Sequence, residues 1–177
     1  MADIPMRMSS VRENVSRMNG QEEAGVRAYV LTDGASPADV VRVHREALRV
    51  LRPGIDVAHI DVYSDAPWPP EVLPSCERAL SLAREGVARG SRSRRADPGM
   101  GIDLDPRDDG QFAVLTDLAP YTIHAEAWGG GRPVFSADDS GTALWIEATR
   151  EQEAALEARL SLLGIGWDVL AVHASRR

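Results

Sequence analysis

Two strand–helix–strand patterns, one in the first third of the chain and one at its end, constrain the fold most. The first runs from "VRAYVLTD" (26–33) through a helix to "IDVAHIDVY" (55–63). The second runs from "TALWIEA" (142–148) through a helix to "WDVLAVHA" (167–174). A helix between two strands buries its apolar stripe on a sheet face. The repetition therefore predicts a layered fold that contains both sheet and helix.

Both predicted helices carry start signals. Ser36 can cap the first helix with Pro37 at its first position, and Thr149 and Gln152 have capping-box spacing for the second. The expected core-facing positions recur at helical intervals: Val40, Val43, Ala47, Val50 and Leu51 in the first helix, and Leu156, Leu160 and Leu163 in the second.

The middle of the chain has a different pattern. "SCERALSLAREGVARG" (75–90) has helical periodicity, whereas "QFAVLTDL" (111–118), "YTIHAEAW" (121–128) and "RPVFS" (132–136) read as short strands separated by turns. The sum predicts an α+β fold: a mostly antiparallel sheet covered by about three helices, with ferredoxin-like βαβ units at both ends as the preferred topology.

Length and spacing predict two regions. Residues 1–25 are polar and are expected to be loosely attached, with a short amphipathic helix after Ser10. Residues 26–177 are long enough for one α+β domain with its own core, and the charged stretch 88–110 is expected to be an exposed loop.

Composition excludes several classes of protein. The formal net charge is −7, with 20 basic and 27 acidic residues, which argues against a nucleic-acid-binding protein. All the basic residues are arginine, which we interpret as the codon bias of a bacterium. The single cysteine, Cys76, fits a reducing compartment, and no stretch has the length of a membrane span. The expected location is the cytoplasm.

The stretch 88–110 places an arginine cluster before an aspartate cluster. The arginines lack interleaved aromatic residues that would stack on bases, so a solvated loop is favoured over a nucleic-acid arm. An EF-hand register that starts at Asp105 puts Arg107 at a ligand position and Thr116 where the bidentate glutamate belongs. A hairpin turn at Asp109-Gly110 is therefore favoured over a calcium loop.

No metal or cofactor site is predicted. The four histidines (His44, His59, His124 and His173) lack zinc-ligand spacing, and no phosphate-binding glycine loop precedes a helix. Cys76 falls on an apolar helical stripe, where cysteine usually acts as a small hydrophobic residue.

"YTIHAEAW" is the one strand that suggests chemistry. Alternation places Thr122, His124, Glu126 and Trp128 on one face, so an acid, a base and an aromatic ring lie close together. This face could serve a small enzyme or ligand-binding domain, with His124 and Glu126 as catalytic residues. A half-buried strand with its polar side towards water shows the same pattern.

Because no catalytic motif is complete, the sequence favours a small acidic protein-binding module without catalytic activity, such as a regulator, an inhibitor or an immunity-type protein. An acidic body suits a basic protein partner. Trp68 and Trp128 are the candidate binding anchors, since tryptophans often contribute most of the energy at interfaces.

Overall fold

The computed structural model describes residues 25–173. It contains seven strands and four α-helices. The strands are β1 (Val26–Leu31), β2 (Val57–Ile60), β3 (Ile102–Leu104), β4 (His124–Gly129), β5 (Arg132–Asp138), β6 (Ala143–Thr149) and β7 (Leu170–Val172). The helices are α1 (Pro37–Leu51), α2 (Leu73–Arg89), α3 (Asp109–Leu118) and α4 (Arg150–Leu162).

All seven strands form one antiparallel sheet in the order β3-β2-β4-β5-β6-β1-β7. The predicted α+β class is confirmed, and both strand–helix–strand units contribute to this one sheet. Three strands separate β1 from β2, and β1 itself separates β6 from β7. This strand order leaves the ferredoxin-like arrangement unconfirmed.

Helices α1 and α4 begin where the sequence predicts. The Ser36 hydroxyl accepts a hydrogen bond from the Asp39 amide with Pro37 in the first turn, and Thr149 and Gln152 form a complete capping box. Each cap satisfies amide donors that the helix itself leaves unpaired. These caps set the positions at which α1 and α4 cross the sheet.

The helices cover one face of the sheet. On that face the strands bury alternate residues, among them Tyr29, Ile60, Ala127, Phe135 and Ile146, in one core shared with the helices. Phe135 lies edge-on to His44 of α1, with ring centroids 6.2 Å apart. Along β4 and β6 buried and half-buried residues alternate. The opposite face, called the open face below, is covered by no helix among the described residues.

The segment "QFAVLTDL" forms a helix, so the prediction of a strand was wrong. The Asp108 carboxylate accepts from the Gln111 amide at 2.8 Å and starts α3. Phe112, Leu115 and Leu118 then recur every three residues and are buried. Asp109 and Gly110 occupy the first turn of α3, which also corrects the predicted hairpin turn. The sheet is therefore covered by four helices.

The stretch 88–110 contains more structure than the predicted loop. Ile102 and Leu104 are buried in β3, and β3 pairs with β2. Between α2 and β3, Arg92 donates to the carbonyl oxygens of Gly101, at 2.6 Å, and of Asp97 and Met100. The exposed loop is thus shorter than expected and has its own hydrogen-bond network.

The predicted short helix after Ser10 lies outside the described residues. Among residues 25–173, none of the helices has the length and apolar character to cross a membrane.

Candidate functional site on the open face

One row of side chains crosses the open face and joins its polar and apolar parts. Antiparallel register places directly opposed residues side by side on the same face. From β3 to β1, the row consists of Asp103, His59, Glu126, Ser136, Trp145 and Val30.

Two histidine–aspartate pairs lie on the polar part of this face. His59 Nδ1 lies 2.7 Å from an Asp103 oxygen, and His124 Nδ1 lies 2.6 Å from an Asp138 oxygen. Ser136 donates to the other oxygen of Asp138 at 2.7 Å. Asp138 therefore orients His124 and leaves the second ring nitrogen, Nε2, available to an outside group.

The hydrogen bond to Asp138 raises the pKa of His124 above its ordinary value, and nearby Glu126 and Asp61 act in the same direction. The carboxylates favour the charged imidazolium, which partial burial opposes. His124 is consequently a half-exposed base that takes up a proton more readily than a free histidine.

Glu126 lies between these pairs and supplies free negative charge. It has no hydrogen-bond or ion-pair partner among the described residues. Arg132 and Glu147, on the same face, form an ion pair at 3.3 Å. With the histidines neutral, carboxylates outnumber cations on this face, so its potential is negative.

The other part of the open face is apolar. Trp145 on β6 stands opposite Val30 on β1, and Val30 in turn stands opposite Ala171 on β7. Ala28 and Ala143 occupy neighbouring positions on the same two strands. A half-buried indole thus lies among small apolar side chains beside the acidic part.

The two tryptophans singled out in the sequence lie in different places. Trp128 is half-buried on the open face, and its buried Nε1 has no hydrogen-bond partner within residues 25–173. Trp68, in the segment before α2, packs against the core. Only Trp128 shares the face with His124 and Glu126.

The described residues contain no group of three or more histidine, cysteine or acidic side chains that could hold a metal ion. Cys76 is buried, and burial raises the pKa of its thiol to about 11. A thiol of this kind is almost entirely protonated at neutral pH, so it is a poor nucleophile.

The principal clefts of the described residues lie away from His124. One, of about 480 Å³, lies between the first turns of α1 and the β5–β6 turn. A second, of about 260 Å³, lies at the other end of the sheet beside Gly129 and Glu147. The His124–Glu126–Trp128 region is therefore a surface and not a pocket.

No protein-family model, curated protein or solved structure matches the chain.

Alternation within one strand correctly grouped His124, Glu126 and Trp128 on one face. The placement of Thr122 on that face was wrong, because Thr122 precedes β4, is buried and donates to the carbonyl oxygen of Asp61.

Alternation missed His59, Asp138 and Trp145, which join this face through cross-strand register. One signal for Trp145 was available in the sequence: in "TALWIEA" it alternates with Leu144 and Ile146, so it had to face away from the core.

Proposed function

We propose that this protein binds a basic protein partner through the open face of its sheet. The observation that carries the proposal is a sheet face that no helix of residues 25–173 covers, on which Trp145 and Trp128 lie beside the acidic residues around Glu126. Interfaces commonly join aromatic anchors to a polar, charged rim. In this proposal the protein acts as a regulator, an inhibitor or an immunity-type protein.

The charge of the open face supports a basic partner. Glu126 is free, and Asp103 and Asp138 are neutralised only as far as their histidines carry protons. A partner with a positive surface would associate faster with this face, and the negative charge of the face would disfavour acidic competitors. We expect association to slow at high salt, because surface charges are then screened.

The apolar part supplies the anchor. In this proposal the half-buried Trp145 contacts the partner, and small residues such as Ala143 and Ala171 lie on the same face. Truncation of an aromatic anchor costs on the order of 2 kcal/mol or more of binding free energy. Trp145→Ala is therefore expected to weaken binding by about thirtyfold.

A photo-crosslinking amino acid at Ala143 tests the proposal in cells of the native host. Ala143 is exposed on the open face, and Ala155, exposed on α4, is the matched control position. We expect a discrete crosslinked product from position 143 that is absent from position 155 and is lost when Trp145→Ala is added. Identical products from both positions, or a product unaffected by Trp145→Ala, would contradict the proposal.

A second candidate function is a small enzyme or ligand-binding domain that uses His124, Glu126 and Trp128. The oriented His124–Asp138 pair favours it, because such a pair can act as a general base. Catalysis would make His124→Ala abolish function in the native host, since an acid–base group typically contributes about 100-fold or more in rate. Under the binding proposal His124→Ala has a small effect and Trp145→Ala a large one; circular dichroism checks that both variants fold.

A further inference from the structure

A cleft among the described residues lies at the end of the sheet where β1 connects to α1. Its volume of about 480 Å³ falls in the range of small-molecule sites. One wall is the start of α1, with Val40 and Val41, and the other is Tyr121 with the β5–β6 turn. Leu31 completes the apolar lining. An apolar body of about the size of an aromatic ring fits such a space.

The wall formed by the β5–β6 turn has an unusual backbone conformation. Asp139, Ser140 and Gly141 are three successive residues with positive φ, of 53°, 55° and 80°. Non-glycine residues rarely adopt this conformation, and strained backbone of this kind clusters at functional sites. The turn is fixed from outside because the Ser140 hydroxyl accepts from the Asp65 amide at 3.0 Å. This hydrogen bond ties one wall of the cleft to the segment between β2 and α2.

The side-chain hydroxyl groups of the threonines and the serine around the cleft can act mainly as hydrogen-bond acceptors. The Thr32 hydroxyl donates to the carbonyl oxygen of Asp168, at 3.1 Å, and the Thr142 hydroxyl to that of Asp139, at 2.9 Å. Ser140 donates to the Asp65 carboxylate at 3.1 Å. Since these hydroxyl hydrogens are engaged, the oxygens can only accept from a ligand, and the Tyr121 phenol can take either role.

Asp33 sets the charge of the cleft. It is the one charged side chain among the described residues that line the space. It is exposed and has no hydrogen-bond or ion-pair partner among them. A free carboxylate beside an apolar floor and acceptor-only hydroxyls is complementary to a positively charged donor.

We propose that this cleft binds a small amphipathic amine, with the ammonium group at Asp33 and the apolar body between Val40, Val41 and Tyr121. The site lies at the end of the sheet and is separate from the open face. Amine binding at this cleft is therefore independent of the proposed protein binding at the open face.

Amide chemical shifts of the ¹⁵N-labelled full chain, titrated at pH 7, test the proposal. The probes are 2-phenylethylamine, the neutral 2-phenylethanol and the anionic 3-phenylpropanoate, which present the same ring with different heads. We expect the amine to shift amides of residues 31–42 and 139–142, and the carboxylate to leave them unchanged. The alcohol is expected to bind about tenfold more weakly than the amine, because it lacks the charge-assisted hydrogen bond.

Two variants and one control variant test which side chains contribute to binding of the amine. Asp33→Asn is expected to weaken amine binding about tenfold and to leave alcohol binding unchanged, whereas Glu157→Gln, an exposed acid on α4, should change neither. Val41→Phe, which fills the cleft, should weaken both. Equal shifts with amine and carboxylate, or an Asp33→Asn variant that binds the amine like the unmodified protein, would overturn the proposal. So would shifts that lie mainly outside the two segments.

Discussion

At the scale of single residues, the fold keeps the side chain of His44 in its neutral form. It is fully buried in α1, and its Nδ1–H donates to the Val40 carbonyl oxygen at 2.8 Å. Its Nε2 is buried without a partner. Because burial penalises the imidazolium, the pKa of His44 falls to about 4.

The low pKa of His44 predicts a pH-dependent stability. Between about pH 6.5 and pH 4 the unfolded chain takes up a proton at His44 that the folded protein does not. The free energy of unfolding should therefore fall by about 3 kcal/mol as the pH falls through this window. Urea unfolding at pH 7.5 and pH 4.5 measures the loss. It should shrink in His44→Leu and persist in His173→Leu, which removes an exposed histidine; an equal loss in His44→Leu would refute this origin.

Gly141 predicts a second residue-scale effect. It has a φ of 80°, and a methyl group there would overlap the carbonyl oxygen of Pro120. Gly131 has nearly the same φ, 78°, but open space around it, so the pair separates backbone strain from overlap. We expect Gly131→Ala to cost about 1 kcal/mol of stability and Gly141→Ala at least about 2 kcal/mol more. Thermal and urea unfolding give both values, and similar losses would show that the turn can move away from Pro120.

At the scale of elements, the sequence predicts helix starts from neighbouring residues, but it does not predict which distant strands pair. The caps at Ser36 and Thr149 are local, and they correctly predicted α1 and α4. Segment 111–118 is short enough that its apolar residues fit either period, and the deciding cap, Asp108, lies just outside it. The order of the strands depends on pairing between segments that are far apart in the chain. Local patterns therefore predicted neither the sheet order nor the cross-strand pairing of His59 with Glu126.

Variants at Asp108 test how much the N-cap of helix α3 contributes to the stability of the protein. Asp108→Ala removes the carboxylate that accepts from Gln111, and it should destabilise the protein by about 1 kcal/mol. Asp108→Ser keeps a side-chain oxygen at the same position and should restore most of that loss. Chemical unfolding of the three proteins checks the expectation, and a serine variant as unstable as the alanine variant would show that the cap hydrogen bond is not the cause.

At the scale of the whole molecule, the connection between α2 and β3 is the most accessible chain inside the fold. Arg94 and Arg95 are exposed and their side chains have no hydrogen-bond or ion-pair partners among the described residues, whereas the Arg92 side chain donates to three carbonyl oxygens. The connection joins the first strand–helix–strand unit to the remaining strands. Cleavage there would nick the protein near its middle.

Limited proteolysis measures how well Arg92 holds this connection. Among the described residues, we expect trypsin to cut first after Arg94 or Arg95. Arg92→Ala removes the three hydrogen bonds and should speed this cut, while Arg84→Ala, on the exposed side of α2, should not. Fragment masses identify the site. First cleavage at another described arginine, or an unchanged rate in Arg92→Ala, would show that the connection is protected by other contacts.

The position of β1 has a consequence for how the chain acquires its fold. β1 is among the first described residues, yet its neighbours in the sheet are β6 and β7, the last two strands in chain order among the described residues. Until those segments leave the ribosome, the backbone donors and acceptors of β1 have no strand to pair with. Pairing between strands so distant in sequence closes large loops, which slows folding. Pairing of β1 within the sheet is therefore expected to be a late event in folding, and β1 can mispair before it.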